Sequence, residues 1–492
     1  MLIVGILCAN YIRTKLYLSI SIFVFILILL LLYCIKFKKA RLILIGLLII
    51  GIGVGDFYLE KNRVDNHYPL SAGSVVCGTV KSVSKSYKGR TILIKDIKSN
   101  NDKVESNAYV YLDSDEILYD INVGDEIVFI AEKVEIPDLY LKELPNSYYI
   151  KNDIKYNITT TEVVATGKDK SLKFILDQKI KENLALGLDN DKTNLMYSAL
   201  FGDSTVLNPM TSDSFSESGV AHLLAVSGLN VSLIAMVLIV VLKLFKCNKY
   251  VRFLITALFL IGYCYMCSWS ATIVRSTLMA FVLFGAPLLF SQYDTLSSLS
   301  LSGIIILLIR PSDLFDVSFL LSFICVLGIT LFYSQTTKVL NKIHFNNPIS
   351  QTLAMSVITN ISTLVVMIYF FEEVSFIGII SNILILPLFT LVFCVVFVAS
   401  IVGLIVPSIC YLLTIISPII NIVIILSNYF ASLAVKFMTI PVSYLSIIIY
   451  AILLFFISRY NVKGIVTKSL SVNVIIVLLI LQIILNIKVI SL

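Results

Sequence analysis

The chain has 492 residues, of which 58% are apolar and only 14% are charged. Soluble domains are about 45–50% apolar and about 25% charged, so this composition excludes an ordinary water-soluble enzyme and also a disordered chain. Because a spanning helix takes roughly 20 residues, the apolar content is enough for about a dozen membrane spans. We therefore expect a polytopic α-helical membrane protein.

The net charge of +7 is distributed unevenly along the chain. Residues 60–189 contain 21 acidic and 18 basic side chains, which leaves 20 basic and 10 acidic side chains for the rest. The hydrophobic part is therefore the basic part, and the polar insert is slightly acidic. Lysine and arginine in short loops are typical of the cytoplasmic side of a membrane protein.

Twelve apolar stretches are long enough, or nearly long enough, to cross a bilayer. Basic clusters lie in the loops at 36–41, 243–252, 338–342 and 459–468, and all four agree with one orientation. In that orientation the insert at 60–190 and both termini lie outside. The predicted spans, some of them broken or re-entrant, are 16–35, 42–56, 220–245, 251–268, 271–290, 296–309, 315–333, 351–371, 376–404, 409–433, 443–458 and 472–490.

The polar insert is predicted to form a small external β domain at 60–168, after an N-terminal pair of spans in residues 1–59. Its segments concentrate β-branched and aromatic residues between Gly, Asn, Asp and Ser turns. Five short strands favour a small β-barrel of the OB type, a fold that does not by itself define a function. The five segments are 74–83, 90–97, 105–112, 124–136 and 154–166.

Aromatic and basic residues of this insert are candidates for binding DNA. Tyr87, Lys88 and Arg90 could form a stacking platform together with Tyr109 and Tyr111. The alternative is that all five are ordinary strand residues. The acidic balance of the insert argues against a strong electrostatic grip on phosphate.

Residues 169–218 are predicted to form an amphipathic connector before the main membrane domain at 219–492. The last part of the connector, 211–218 (TSDSFSES), is polar although it lies next to a membrane entry. Irregular backbone cannot be exposed to lipid, so we expect this part to be re-entrant or to lie on the membrane surface. A solvated loop is the alternative.

Residues 219–231 (GVAHLLAVSGLNV) place polar side chains at the start of a predicted span. Polar groups at membrane depth usually face a bundle interior or a wet cavity and mark a site. On a regular helix Ser227 and Asn230 share a face, but His222 is turned about 140° away, so only a break near Gly228 brings the three together. A serine hydrolase is an alternative, but the segment lacks the first glycine of G-x-S-x-G and a neighbouring acid.

The sequence motifs indicate no catalytic, metal or cofactor site. Cys264 and Cys267 form a C-x-x-C pair inside an apolar run without a second pair, and we expect them to be packing residues. The three histidines, His67, His222 and His344, are too far apart in sequence to build an H-x-H-x-D-H metal site. Because a Walker loop is also absent, we expect no enzyme activity and no nucleotide hydrolysis.

The segment HLLAVSGLNV resembles the HLLAISGLHV-type motif of the ComEC family, the DNA-uptake channels of bacterial natural competence. Other segments resemble that family in the same order, and so does the N-terminal pair of spans with its β insert. The resemblance therefore covers nearly the whole chain. The similar segments are 199–203 (ALFGD), 215–219 (FSESG), 269–279 (WSATIVRSTLM), 310–311 (RP), 319–323 (FLLSF) and 376–387 (FIGIISNILILP).

The resemblance implies a channel that passes single-stranded DNA through the bacterial plasma membrane into the cytoplasm. Its implied partners are single-stranded DNA, the lipid bilayer, a separate cytoplasmic ATPase or helicase, an external DNA receptor and a separate nuclease. The nuclease is expected to be separate because many members carry a C-terminal metallo-β-lactamase-like domain, whereas this chain resembles the channel part alone. A second departure from the family is Asn230, which occupies a position where histidine is expected, so imidazole chemistry is not carried over to it.

The residues expected along the transport path are His222, Ser227, Asn230, Arg275 and Asn382. Arg275 lies about a turn into a span on the outer side, and its planar guanidinium suits phosphate oxygens, although it could instead reach to the interface. Asn382 lies in a long apolar segment that a proline interrupts, which is consistent with a cavity or with a simple kink. A secondary transporter of a small solute and a relative that does not transport DNA are the alternative functions.

Overall fold

The computed structural model describes Gly53, Gly55, Phe57 and most of 70–457. The chain divides into two compact units, Met1–Ile175 with Gly303–Asp316, and Leu176–Ser302 with Val317–Leu492. Within 70–457 the description leaves out residues 87–88, 100–101, 105, 113–120, 122–123, 138–139, 142–143, 146–148, 151–152, 169–171, 290–292, 343–346, 375, 435–436, 439–441 and 443.

The first unit contains an eight-stranded sheet and a separate two-stranded hairpin, β7–β8. The strands are β1 (Val75–Ser86), β2 (Gly89–Ser99), β3 (Asp102–Lys103), β4 (Asn107–Leu112), β5 (Asp125–Ile130), β6 (Lys133–Glu135), β7 (Tyr140–Leu141), β8 (Leu144–Pro145), β9 (Ile154–Thr160) and β10 (Val164–Lys168). Successive side chains of a strand point to opposite faces, so Ala108, Val110 and Leu112 of β4 are all buried in the core. Tyr109 and Tyr111 are left on the other face.

The sheet has the strand order β10-β5-β1-β2-β4-β9-β6, with β3 paired to β2, and β4 and β9 are parallel. This order is open, so the predicted closed OB barrel is not confirmed. The predicted strand at 124–136 is divided, because β5 pairs with β1 whereas β6 pairs with β9. Between them Glu132 accepts a hydrogen bond from the backbone N–H of Thr161 at 3.2 Å, a long-range contact that the local sequence pattern does not reveal.

Helices make up the second unit, with one further two-stranded pair, β11 (Glu373–Val374) and β12 (Phe437–Met438). Short 3-10 turns join several of the helices. After the sheet the helices are α1 (Leu172–Ala185), α2 (Asn190–Phe201), α3 (Pro209–Glu217), α4 (Gly228–Leu244), α5 (Lys249–Met266), α6 (Ala271–Gly285), α7 (Thr295–Ile309), α8 (Val317–Lys342), α9 (Asn347–Phe371), α10 (Gly378–Gly403), α11 (Leu413–Ser432) and α12 (Tyr444–Ile457).

Six helical segments of the described part are long and apolar enough to cross a membrane, and α4 and α7 are shorter apolar helices. The chain is therefore a multi-pass membrane protein with a sheet insert. Twelve spans are not confirmed, because the predicted spans at 16–35 and 472–490 and most of 42–56 lie outside the described residues. The six segments are Lys249–Met266, Ala271–Leu288, Val317–Asn341, Ser350–Phe371, Gly378–Gly403 and Pro407–Ser432.

The connector lies along α10 over most of the length of that helix. Near one end, the Asn183 side-chain amide donates a hydrogen bond to the carbonyl of Gly403 at 2.9 Å. Near the other end, the Ser381 hydroxyl donates to the carbonyl of Ser218 at 2.7 Å. Ser381 and Gly403 are separated by about 33 Å of helix, which is close to the thickness of the hydrocarbon core of a bilayer. The two bonds therefore attach the two ends of the connector to opposite ends of α10.

Candidate functional site

The helix within the predicted span at 220–245 begins later than the sequence pattern indicates. The turn Ala221–Leu223 is a 3-10 helix, and α4 starts only at Gly228. Ser227 is the N-cap residue with extended backbone, φ −107° and ψ 170°, but its side chain does not cap the helix. Its hydroxyl points instead toward the Asn230 side-chain oxygen, 3.4 Å away. The chain therefore breaks where the polar residues of the motif lie.

Asn230 is buried and holds α4 against the connector. Its exposed fraction is 1%, and its side-chain N–H donates to the carbonyl of Ala199 at 3.1 Å. This bond explains how the chain accommodates asparagine where the resembling motif has histidine, because the Nδ1–H of a histidine can donate in a similar place. The geometry gives Asn230 a role as a hydrogen-bond donor and assigns it no acid–base chemistry.

Arg275 is also buried, with 4% of its surface exposed, and its guanidinium contacts neutral groups. Nε donates to the Ser322 hydroxyl at 2.8 Å, and Nη2 donates to the Ser276 hydroxyl at 3.1 Å. Nη1 lies 3.3 Å from the Met279 sulfur, and the guanidinium carbon is 5.8 Å from the centre of the Phe323 ring. The side chain is therefore packed among other helices and does not extend away from the protein.

Gly228 allows the guanidinium to approach the start of α4. A Cβ atom at this glycine would lie 3.0 Å from Nη2 of Arg275 and 3.1 Å from the Ser276 hydroxyl. Through these contacts four segments that are distant in sequence meet at one place. They are the segments that contain Ala199, Asn230, Arg275 and Ser322, and we call their meeting point the motif junction.

The other two path candidates lie elsewhere. His222 is exposed on the 3-10 turn before α4. Asn382 is buried in α10 with 8% of its surface exposed, and its side-chain oxygen has no hydrogen-bond partner among the described residues. The structure therefore brings Ser227, Asn230 and Arg275 together, but among the described contacts none joins His222 or Asn382 to them.

A tyrosine cluster lies on the accessible face of the sheet in the first unit. The ring centres of Tyr109 and Tyr111 are 6.1 Å apart, and the Tyr149 ring is 5.8 Å from Tyr109 in an edge-to-face arrangement. Burial, together with the neighbouring Tyr149 hydroxyl, raises the pKa of Tyr111 to about 12. Its phenol is therefore neutral and able to donate a hydrogen bond at physiological pH.

Only part of the predicted external DNA-binding group falls within the described structure. Tyr87 and Lys88 lie outside the described residues. The backbone of Arg90 belongs to β2 and pairs with Leu112 of β4, next to the pairing of Thr91 with Tyr111. In the strand register Arg90 therefore precedes Thr91, and Thr91 is the residue that pairs with Tyr111.

The described residues contain no group of three or more His, Cys, Asp or Glu side chains that could hold a metal ion. Cys264 and Cys267 are both buried. The Cys264 sulfur lies 3.3 Å from the Thr277 hydroxyl, and the Cys267 sulfur lies 4.0 Å from the carbonyl of Leu200. These contacts agree with a packing role for the C-x-x-C pair.

Sequence reasoning named Gly228 as the position of a break but missed Ser276 and Ser322 as parts of the site. Ser322 belongs to the FLLSF segment, and Ser276 directly follows Arg275 in WSATIVRSTLM. The available signal was that both segments carry the family resemblance. Neither segment shows from its own residues that its serine accepts a hydrogen bond from a guanidinium on another helix.

A family model described as "Competence protein" matches residues 199–463, which is more than half of the chain. The chain is also similar to ComE operon protein 3 of Bacillus subtilis (strain 168), with 24% identity over 253 residues. That similarity covers 51% of this chain but only 32% of the relative, so it leaves most of the relative's length unmatched. No solved structure matches the chain.

The hydrogen bond from Asn230 to Ala199 leads to a test with near-isosteric variants. Asn230→Asp replaces the donor with a buried carboxylate oxygen facing a carbonyl, which we expect to destabilise the protein by roughly 1–3 kcal/mol or more. Asn230→His keeps a donor and should unfold close to the wild-type temperature. Thermal unfolding of the detergent-solubilised chain measures both, with Asn190→Asp at an exposed position as the control. Equal stability of Asn230→Asp and Asn190→Asp would contradict the assigned bond.

Proposed function

The chain belongs to the competence protein family, and on that premise we propose that its membrane domain conducts single-stranded DNA into the cytoplasm during natural competence. The observation that carries this proposal is the motif junction. Gly228, Ser276 and Ser322, which lie on three different helices, meet around one buried arginine at the start of a broken helix, and Asn230 in the first turn of that helix binds Ala199. Neutral and cationic hydrogen-bond donors at membrane depth suit a polyanion and are expensive to maintain without a function.

A conducting path must stabilise phosphate without holding it, because binding that is too tight prevents release. In the motif junction Arg275 supplies the charge, and the Ser276 and Ser322 hydroxyls hold its guanidinium in place. The connector adds polar groups beside α10, including a Lys192 ammonium that pairs with Asp189 at 2.7 Å and donates to the Ser417 hydroxyl at 2.9 Å. Irregular backbone at such depth is tolerated where it is buried in protein or lines a water-filled cavity, which supports a polar path through this unit.

The proposal includes an orientation and a set of partners. The basic loops favour the insert at 60–190 and both termini outside the plasma membrane. Because the sequence has no Walker loop, the proposal assigns the energy for transport to a separate cytoplasmic ATPase or helicase. It assigns degradation of the second strand to a separate nuclease and capture of DNA to an external receptor. It assigns no catalytic step, metal or cofactor to this chain.

Uptake of labelled DNA tests the proposed function. We expect deletion of the gene in a transformable host to abolish delivery of label to the cytoplasm, and the wild-type gene to restore it. The Arg275→Ala variant should restore at least tenfold less delivery of label than the wild-type gene, because a hydrogen bond to a charged group contributes about 1.5–3 kcal/mol. Arg252→Ala is the matched control, since it removes a partly exposed arginine near the start of α5.

Protein levels in the membrane fraction must be equal for these uptake values to be compared. Normal uptake in the deletion strain would contradict the conduction proposal. Equal rescue of uptake by Arg275→Ala and Arg252→Ala would contradict the assignment of the motif junction to the transport path.

We also propose that the tyrosine cluster of the sheet is a stacking platform for bases of the incoming strand. Tyr109, Tyr111 and Tyr149 offer adjacent rings on one face, and every base has a π-face that can stack on them. The Tyr111 phenol, like that of an ordinary tyrosine, is uncharged at physiological pH, so it does not repel phosphate.

Removing the rings should weaken binding of single strands. Stacking contributes about 1–3 kcal/mol per base, so the double variant Tyr109→Ala/Tyr111→Ala is expected to bind a fluorescent oligothymidylate roughly tenfold or more weakly in anisotropy titrations. The double variant with phenylalanine keeps the rings and should bind like the wild type. If alanine and phenylalanine variants with equal thermal stability bind equally well, the platform is not a binding site.

A further inference from the structure

Arg275 lacks an anionic partner in the described structure. No Asp or Glu oxygen among the described residues lies within 4.0 Å of its guanidinium, whose contacts are two hydroxyls, a sulfur and an aromatic ring. The side chain is nevertheless 96% buried, since only 4% is exposed. A buried charge is costly unless it is paired, so this guanidinium is expected to be neutralised by a group that is not a side chain of the described part.

The start of α4 adds a second electropositive group on the same side. The first helical hydrogen bond runs from the Val231 N–H to the Ser227 carbonyl. The N–H groups of Gly228, Leu229 and Asn230 therefore have no partner within the helix, and the N-cap side chain does not bind them. A helix N-terminus carries a partial positive charge, and here it faces a guanidinium.

Two positive groups at close range repel each other, and an anion that contacts both of them removes the repulsion. Gly228 allows this approach, because a Cβ would lie 3.0 Å from Nη2 of Arg275. At this helix start Ser227 and Gly228 are half-buried and Leu229 is exposed. The guanidinium and the free N–H groups of the first turn therefore lie next to a partly exposed part of the chain.

We propose that Arg275 and the first turn of α4 form a phosphate-binding subsite that takes one phosphodiester group at a time. Guanidinium N–H groups and helix N-terminal N–H groups are both established binders of phosphate oxygens. Two of the five guanidinium N–H groups remain for the ligand after the contacts with Ser322, Ser276 and Met279. The anion chemistry rests on this geometry alone, whereas its assignment to a DNA strand rests on the proposed function.

Inorganic phosphate tests the anion site without DNA. The full chain is purified in dodecyl maltoside, which carries no phosphate, and its thermal unfolding is followed in phosphate and in chloride at equal ionic strength. We expect phosphate to raise the unfolding temperature of the wild type and of Arg252→Ala, and to leave Arg275→Ala unchanged. Gly228→Ala keeps the charge but places a methyl group against the guanidinium, so it should also lose the phosphate effect.

An oligothymidylate tests whether the bound phosphate belongs to a strand. In a Tyr109→Ala/Tyr111→Ala background, Arg275→Ala and Gly228→Ala should each weaken its binding roughly tenfold to a hundredfold. A methylphosphonate oligothymidylate, which has an uncharged backbone, should bind weakly to all variants. Arg275→Lys keeps the charge but loses the planar fork, and should fall between wild type and Arg275→Ala.

Each outcome decides one of the two claims. An equal effect of phosphate and chloride on the wild type, or an equal phosphate effect on wild type, Arg275→Ala and Gly228→Ala, would overturn the subsite. A phosphate effect that depends on Arg275, together with oligothymidylate binding that does not, would keep the anion site and reject the DNA strand as its ligand. Loss of the phosphate effect on adding phosphatidylglycerol, but not on adding oligothymidylate, would assign the site to a lipid headgroup and overturn the strand assignment.

Discussion

Inside a bilayer, backbone N–H and C=O groups that are not paired within a helix must find partners elsewhere in the protein, because lipid offers none. This constraint governs the region from the connector to α4. The chain there is broken into short helices and turns, and its polar groups are bound by other helices: Asn183 by α10, Ser218 by Ser381 and Ser427, and Asn230 by Ala199. The breaks place side chains and free N–H groups where a continuous span would show only an apolar surface.

The same constraint applies to the guanidinium of Arg275. A guanidinium in an ordinary span would be paired with a carboxylate or would reach the interface. Here it is buried among hydroxyls and faces the uncapped start of α4, so no carboxylate of the described residues pairs with it. Under the proposed function this arrangement suits a mobile polyanion, because a passing phosphate would bind without displacing a permanent carboxylate partner.

The sequence pattern predicted those strands and helices that depend only on residues close together in the chain. Alternation located the strand around Ala108 to Leu112, and apolar runs located α5 and α9 to α11 to within a few residues, whereas α8 extends nine residues beyond the predicted span at 315–333. The division of 124–136 into β5 and β6 depends on their pairing with two different strands, β1 and β9, which no periodicity shows. The late start of α4 was open to prediction from Gly228 and the polar residues of the motif. The burial of Arg275 was not, because its partner Ser322 lies 47 residues further along the chain.

Photo-crosslinking most directly tests the claim that a DNA strand passes the motif junction. Leu229 is exposed next to Gly228, whereas Leu258 is exposed on α5 and serves as the control position. A photoreactive benzoylphenylalanine replaces each in turn, and competent cells are irradiated during uptake of labelled DNA. The account predicts a covalent adduct with the labelled strand at position 229 and none at 258. Equal adducts at both positions, or an adduct at 258 alone, would contradict it.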